Sequence, residues 1–170
     1  DVAWENDLTA FRAYGPALQE TGERAFGYDI WTKYNTTEPV VEARYEGELN
    51  PDMKAKIAEL GKTDPKAAQE LYRSVSYHVD HGNGLDCYKV GPTLGGGTTA
   101  LMAGDTIVYP YCYATQEILD NGPLRFTVKL VYNPLVVKGD STIIETRIIT
   151  LDAGSYCNKT VVSYTTLKET

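Results

Sequence analysis

Residues 124–133 read LRFTVKLVYN, with apolar side chains at Leu124, Phe126, Val128, Leu130 and Tyr132, every second position without a break. Side chains alternate across a strand with period two, so one face of this segment is buried while Arg125, Thr127 and Lys129 stay wet. It is a half-buried β-strand. Upstream, Asp120-Asn121-Gly122-Pro123 is a turn signal, with a further strand expected over residues 106–115. Downstream, Gly139-Asp140 precedes a strand over 141–151, and Asp152-Ala153-Gly154 turns into another over 159–166. Long strands joined by tight turns predict a mainly β chain folded as an antiparallel β-sandwich, with a closed barrel as the nearest competitor.

The N-terminal half is less regular. Residues 2–14, VAWENDLTAFRAY, are rich in β-favouring residues and read as one strand, with Trp4, Asn6, Leu8, Ala10, Arg12 and Tyr14 on one face. Both faces mix polar and apolar groups, which a ligand lying over a polar face would explain. A second strand, 28–34, follows the Gly22 to Gly27 loop. Asn50-Pro51 starts a helix, because Asn caps free N–H groups and Pro is preset for the first helical position. Met53, Ile57 and Leu60 form its stripe and Gly61 ends it. Asp64-Pro65 repeats the device through about Arg73. The expectation is one β domain over residues 1–170 with a short two-helix insertion.

The chain has 170 residues, 42% apolar and 23% charged, enough to build a core without staples. Its net charge of −7, from 16 basic and 23 acidic residues, argues against a nucleic-acid partner, which demands a basic surface. No apolar run approaches the ~20 residues of a membrane-spanning helix. Asp1 stands where an initiator Met would, consistent with a removed leader or a start inside a longer chain. Cys87, Cys112 and Cys157 allow at most one disulfide, and Cys87 and Cys112 read as buried fillers. Asn35-Thr36-Thr37 and Asn158-Lys159-Thr160 match the glycosylation acceptor pattern, which is too short to carry weight.

Chemistry concentrates in residues 76–90, SYHVDHGNGLDCYKV, which hold both histidines of the chain. On an extended backbone His78 and Asp80 share a face and the Gly82 turn brings His81 round, giving a general base with its orienting carboxylate. The same His78, Asp80 and His81 could ligate a divalent metal. Alternatively the segment is a polar hairpin in which Asp80 and Asn83 bond their own turn. Asp80, Asn83 and Asp86 offer oxygen donors for calcium without the EF-hand spacing. Residues 91–99, GPTLGGGTT, lack the Gly-Lys-Ser/Thr ending of a phosphate loop and read as glycines permitting close backbone approach. Trp4, Glu5 and Asn6 with Arg12 form a second constellation, in which an aromatic ring covers a sugar face and the polar groups take hydroxyls or a uronate. The competing reading puts Trp4 in the core and pairs Arg12 with Glu5 or Asp7.

Four blocks, WENDLTAFRAYGPAL (4–18), DIWTK (29–33), YHVDHGNGLDCYKVGPTLGGG (77–97) and NGPLR (121–125), resemble in order the signature stretches of the bacterial domain-of-unknown-function family 4861. The resemblance implies a periplasmic or secreted protein from a polysaccharide-degradation locus, with a supersandwich like that of galactose-mutarotase-like domains. Members of that family are longer at both ends, so this chain is expected to be part of a larger fold, pairing its sheet edges with another chain or segment. The expected function is a carbohydrate-active protein acting on a plant or algal polysaccharide fragment, including uronate-containing ones, as a lyase or hydrolase. His78 or His81 would be the acid or base, Asp80 the orienter, Arg12 a carboxylate clamp, and Tyr88 or Lys89 the proton donor or charge stabiliser. The alternatives are a non-catalytic binding module, with Trp4, Trp31 and some of the 13 tyrosines stacking on sugar rings, or a structural partner completing a larger sandwich.

Overall fold

A computed structural model describes residues 1–34 and 38–165, so the Asn35 acceptor motif and residue 166 of the last expected strand lie outside the described residues. The fold is mainly β, and two four-stranded antiparallel sheets form the sandwich. The first is ordered β1 (Val2–Glu5), β2 (Thr9–Ala13), β3 (Tyr28–Lys33), β4 (Gly84–Asp86). The second runs β12 (Lys159–Tyr164), β11 (Glu145–Asp152), β8 (Arg125–Tyr132), β7 (Tyr113–Gly122). Two ribbons, β5 (Leu101–Ala103) with β6 (Thr106–Val108) and β9 (Leu135–Val137) with β10 (Asp140–Ile143), complete the strands.

β8 behaves as its alternation requires: Val128, Leu130 and Tyr132 are buried and Phe126 packs beside them. They meet Ile149 and Leu151 of β11, and Val2, Trp4, Phe11, Ala13 and Tyr28 from the inner face of the first sheet. Beside this core lies an enclosed cation: Arg147 is fully buried, ion-paired to Glu145, bonded to the Tyr28 hydroxyl at 3.0 Å and set 4.3 Å from the Tyr132 ring centroid. A buried guanidinium is tolerated only with such partners.

Several sequence expectations are corrected. Residues 2–14 are a hairpin, not one strand, because Asn6 Oδ1 accepts from the N–H groups of both Leu8 and Thr9 at 2.9 Å and bends the chain. The pairing Trp4↔Phe11 then turns Trp4 to the inner face and Arg12 to the outer one. The 106–115 stretch breaks around Pro110, which has no N–H to donate to a ladder. β7 continues through Gly122, which pairs with Arg125, so the turn falls on Pro123-Leu124, later than expected. The 141–151 stretch divides at Ile144, where the chain leaves β9 for β8 and β12.

The insertion between β3 and β4 holds three helices rather than two: α2 (Val41–Leu49), α3 (Pro51–Thr63) and α4 (Pro65–Val75); a short α1 (Pro16–Glu20) precedes β3. Asn50 and Asp64 cap α3 and α4 as their sequence signals require, although α3 runs past Gly61. α2 lacks a side-chain cap of its own. The N–H groups of Val40 and Val41 donate instead to the Glu5 carboxylate, 36 residues away in sequence at most, so no local pattern announces this helix. Gly84 opens β4 at φ +108, where any side chain would strike the Thr32 carbonyl. All three cysteines are free; Cys112 is buried, but Cys87 is exposed, because β4 ends just before it. No helix among the described residues is long and apolar enough to cross a membrane.

Trp4 is 3% exposed, stacks on Phe11 and Phe126, and donates its indole N–H to Asn158 at 2.9 Å. Trp4→Ala is therefore expected to cost about 3–5 kcal/mol of stability in urea unfolding; a loss below about 1 kcal/mol would show that the ring is not a core element.

Candidate functional site

The outer face of the first sheet is polar where a half-buried strand should be apolar. The register places Arg12 of β2 opposite Asp29 of β3, and Trp31 of β3 opposite Asp86 of β4, all on this face. α2 and the 76–83 loop cover it: Tyr45 and Tyr77 pack on the fully buried Trp31 at ring-centroid distances of 5.3 and 5.4 Å. What they leave open is a pocket of 320 Å³, within the range of small-molecule sites, lined by Arg12, Tyr14, Asp29, Tyr77, His78, Asp86, Tyr88 and Lys89 with Leu18 and Glu23 at its margin.

Its charges are unevenly matched. Arg12 is ion-paired to Asp29, whose side chain is 1% exposed, and Tyr14 donates to the other Asp29 oxygen at 2.8 Å. Burial opposes the Arg12 charge, but Asp29, with the Tyr45 and Tyr14 oxygens, more than offsets it and holds the guanidinium protonated. Burial, with Asp29 nearby, also raises the Tyr14 hydroxyl well above its usual range. Asp86 lacks a counter-charge of its own at bonding distance. Its pKa is pushed up to about 6, first by burial and then by the Asp29 charge, and His78 only partly opposes this. His78 Nδ1 lies 3.7 Å from Asp86 Oδ2 and 3.3 Å from the Asp86 carbonyl oxygen. Asp86 Oδ1 is buried without a hydrogen-bond partner, as are Arg12 Nε, Trp31 Nε1 and the Tyr45 hydroxyl. Buried unpaired polar atoms are few in native proteins, and two of these, on Asp86 and Arg12, belong to residues that line the pocket.

The structure sorts the expected site residues. His78, Tyr88, Lys89 and Arg12 line this pocket together. Tyr88 gives its hydroxyl proton to the Tyr28 carbonyl at 2.6 Å, so its hydroxyl anchors the 88–97 segment. Gly95 and Gly96 of that segment lie against Tyr28, the close approach the glycines were expected to permit. Asp80 and His81 point elsewhere: Asp80 accepts from Tyr34 at 2.7 Å and from Gly82 at 2.8 Å, and His81 Nε2 meets the Ser76 carbonyl at 3.0 Å. Asn83 accepts from Arg44 at 2.5 Å. The proposed metal ligands are thus dispersed, and among the described residues no group of three or more His, Cys, Asp or Glu could hold a metal ion.

Of the second constellation, Trp4, Glu5 and Asn6 line a separate, larger cavity without Arg12, and each also has a structural contact. Trp4 and Trp31 are buried, Glu5 pairs with Lys33 at 2.6 Å, and Asn6 donates to the carbonyls of Asp152 and Ser155 at 2.7 Å. Asp29 was missed, and Asp86 was considered only as a calcium donor. The signal for Asp29 was a lone carboxylate in the apolar strand YDIWTK, set directly across from Arg12 once β2 and β3 pair.

A family profile described as a domain of unknown function (DUF4861) matches residues 1–170. The chain belongs to that family. The "Uncharacterized protein P7" of Formosa agariphila is 28% identical over 162 residues, which cover 91% of this chain and 35% of that protein. The chain thus spans about a third of the length of this curated relative. No solved structure matches it.

Because Asp86 holds its proton more tightly folded than unfolded, the native state binds more protons between about pH 4 and about pH 6, and stability falls as pH rises through that window. Asp86→Asn is expected to flatten this slope and, near neutral pH, to stabilise by about 3 kcal/mol in urea unfolding. Parallel pH profiles for the two proteins would contradict the assignment.

Proposed function

We propose that this domain is a carbohydrate-active enzyme that uses Asp86 and His78 as its acid–base pair. The observation that carries the reading is the Asp86 carboxyl: buried, protonatable near pH 6, with one oxygen unpaired, on a residue that lines an open pocket. In its protonated form Asp86 gives a proton to a departing sugar oxygen. His78, half-exposed and beside it, takes up a proton from the attacking water of a hydrolase or from the carbon acid of a lyase. Asp29 takes no direct part, because Arg12 and Tyr14 engage both its oxygens.

The same pairing revises the expected uronate clamp. With Arg12 committed to Asp29 and Asp86 protonated, as the acid role requires, the buried charges of the pocket floor cancel. That arrangement offers an acidic sugar no uncommitted buried cation and so favours a neutral one. Lys89 at the rim is then the group left to meet an acidic sugar. A plant or algal polysaccharide fragment as substrate, a polysaccharide-degradation locus, a mutarotase-like supersandwich and a periplasmic or secreted location belong to the same proposal. The family resemblance supports these. A binding module that stacks sugars on Trp4 and Trp31 is disfavoured by the burial of both rings.

The test incubates the protein with neutral and uronate-containing oligosaccharides and follows products by mass spectrometry and ultraviolet absorbance. Turnover of a neutral oligosaccharide is expected, falling about 100-fold in both Asp86→Asn and His78→Ala, as loss of a general acid or base does. His81→Ala should leave it unchanged. Absence of turnover across the panel, or full activity in Asp86→Asn, overturns the reading.

A further inference from the structure

A larger cavity, of 1070 Å³, lies away from the acid–base pocket, along the free edge of β1. Its floor is β1 itself at Ala3, its outer wall is α2 at Val41 and Tyr45, and its inner wall is the β7–β8 hairpin at Ile118, Leu124 and Phe126. Two unpaired strand edges border it. Among the described residues β1 pairs only with β2, and β7 only with β8. β7 is exposed along its whole length after Tyr113, on both faces. That includes Gln116 and Ile118, which stand directly opposite the buried Leu130 and Val128 and so belong to the core-facing side.

The cause is geometric. Gly15, which donates its N–H to Asp1 beside β1, lies against the Tyr113 side chain at one corner of the second sheet, and Asn6 is bonded to Asp152 and Ser155 at another. β1 therefore crosses the second sheet obliquely and leaves the far half of β7 without a layer beneath it. Sheet layers pack about 10 Å apart and neighbouring strands about 4.8 Å apart, so the layer missing under β7 begins where one more strand would pair with β1. The alternation of such a strand would send one set of side chains toward Ile118 and Leu124 and the other toward Val41 and Tyr45. The free acids on the rim are Glu42 and Glu46, whereas the basic groups, Lys33 and Arg125, are already paired with Glu5 and Asp152. About two thirds of the relative's length lies outside the matched stretch, so chain is available there to supply a strand.

We propose that this groove receives a β-strand from polypeptide outside residues 1–170, apolar on both faces and basic at its ends, which adds to β1 and covers the core-facing side of β7. The groove is separate from the acid–base pocket, so this inference stands or falls independently of the proposed activity.

Amide hydrogen exchange tests it, comparing residues 1–170 with the natural full-length polypeptide. In the full-length protein the amides of β1 are expected to exchange about 100-fold more slowly, as for edge groups newly paired in a ladder. Ile118→Asp should restore fast exchange at β1 while leaving the amides of β8 and β11 protected, which separates loss of docking from loss of fold. Equal exchange at β1 in the two proteins overturns the proposal. So does a dimer of residues 1–170 in light scattering that Ile118→Asp dissociates, since the occupant would then be a second copy.

Discussion

Two carboxylates, Asp29 of β3 and Asp86 of β4, are buried on one sheet face with one guanidinium beside them, Arg12 of β2, on the Asp29 side. Arg12 can neutralise one, and the geometry assigns it to Asp29, which Tyr14 also bonds. The other must find a counter-charge or take up a proton. His78 is close enough to soften that demand without removing it. A fold evolved for stability alone would replace such a group with an apolar one of similar size. Retaining an ionisable side chain with an unpaired oxygen against an open pocket is the mark of a working site, and the acid–base reading rests on that imbalance.

The rest of the architecture holds the imbalance in place. The inner face of the first sheet packs on β8 and β11, which fixes the positions of β2 and β3 and hence the cross-strand alignment of Arg12 with Asp29. Trp31, Tyr45 and Tyr77 then seal one side of the polar cluster with aromatic rings, which removes water and strengthens every charge interaction beneath them. α2, which supplies Tyr45, begins at the Glu5 carboxylate, itself held by Lys33. The residues first read as a sugar-binding constellation therefore serve the site indirectly. Trp4 braces the inner face and Glu5 seats the helix that closes the outer one.

The sandwich was legible because period two survives in β8 and β11 wherever one face is dry and the other wet. Cap chemistry located α3 and α4 for the same reason: Asn50-Pro51 and Asp64-Pro65 act on neighbouring residues and need no tertiary partner. α2 was illegible because its cap comes from Glu5. The 2–14 stretch misled because the Asn6 turn reverses the chain with a side-chain bond rather than with Gly or Pro, and the reversal moved Arg12 to the face opposite Trp4. The site was half legible. Concentrated histidines pointed to a segment that contributes to the pocket, which His78, Tyr88 and Lys89 line. Which histidine lines the pocket depends on β4 pairing with β3, a contact spanning more than 50 residues that local spacing does not record.

The most direct test of the central claim is the titration of the Asp86 carboxyl carbon by nuclear magnetic resonance in the folded protein. Uncompensated burial next to Asp29 requires a midpoint near 6. A midpoint at or below about 4, the value of a carboxylate in water, would mean that Asp86 is adequately paired and that the pocket has no proton to give.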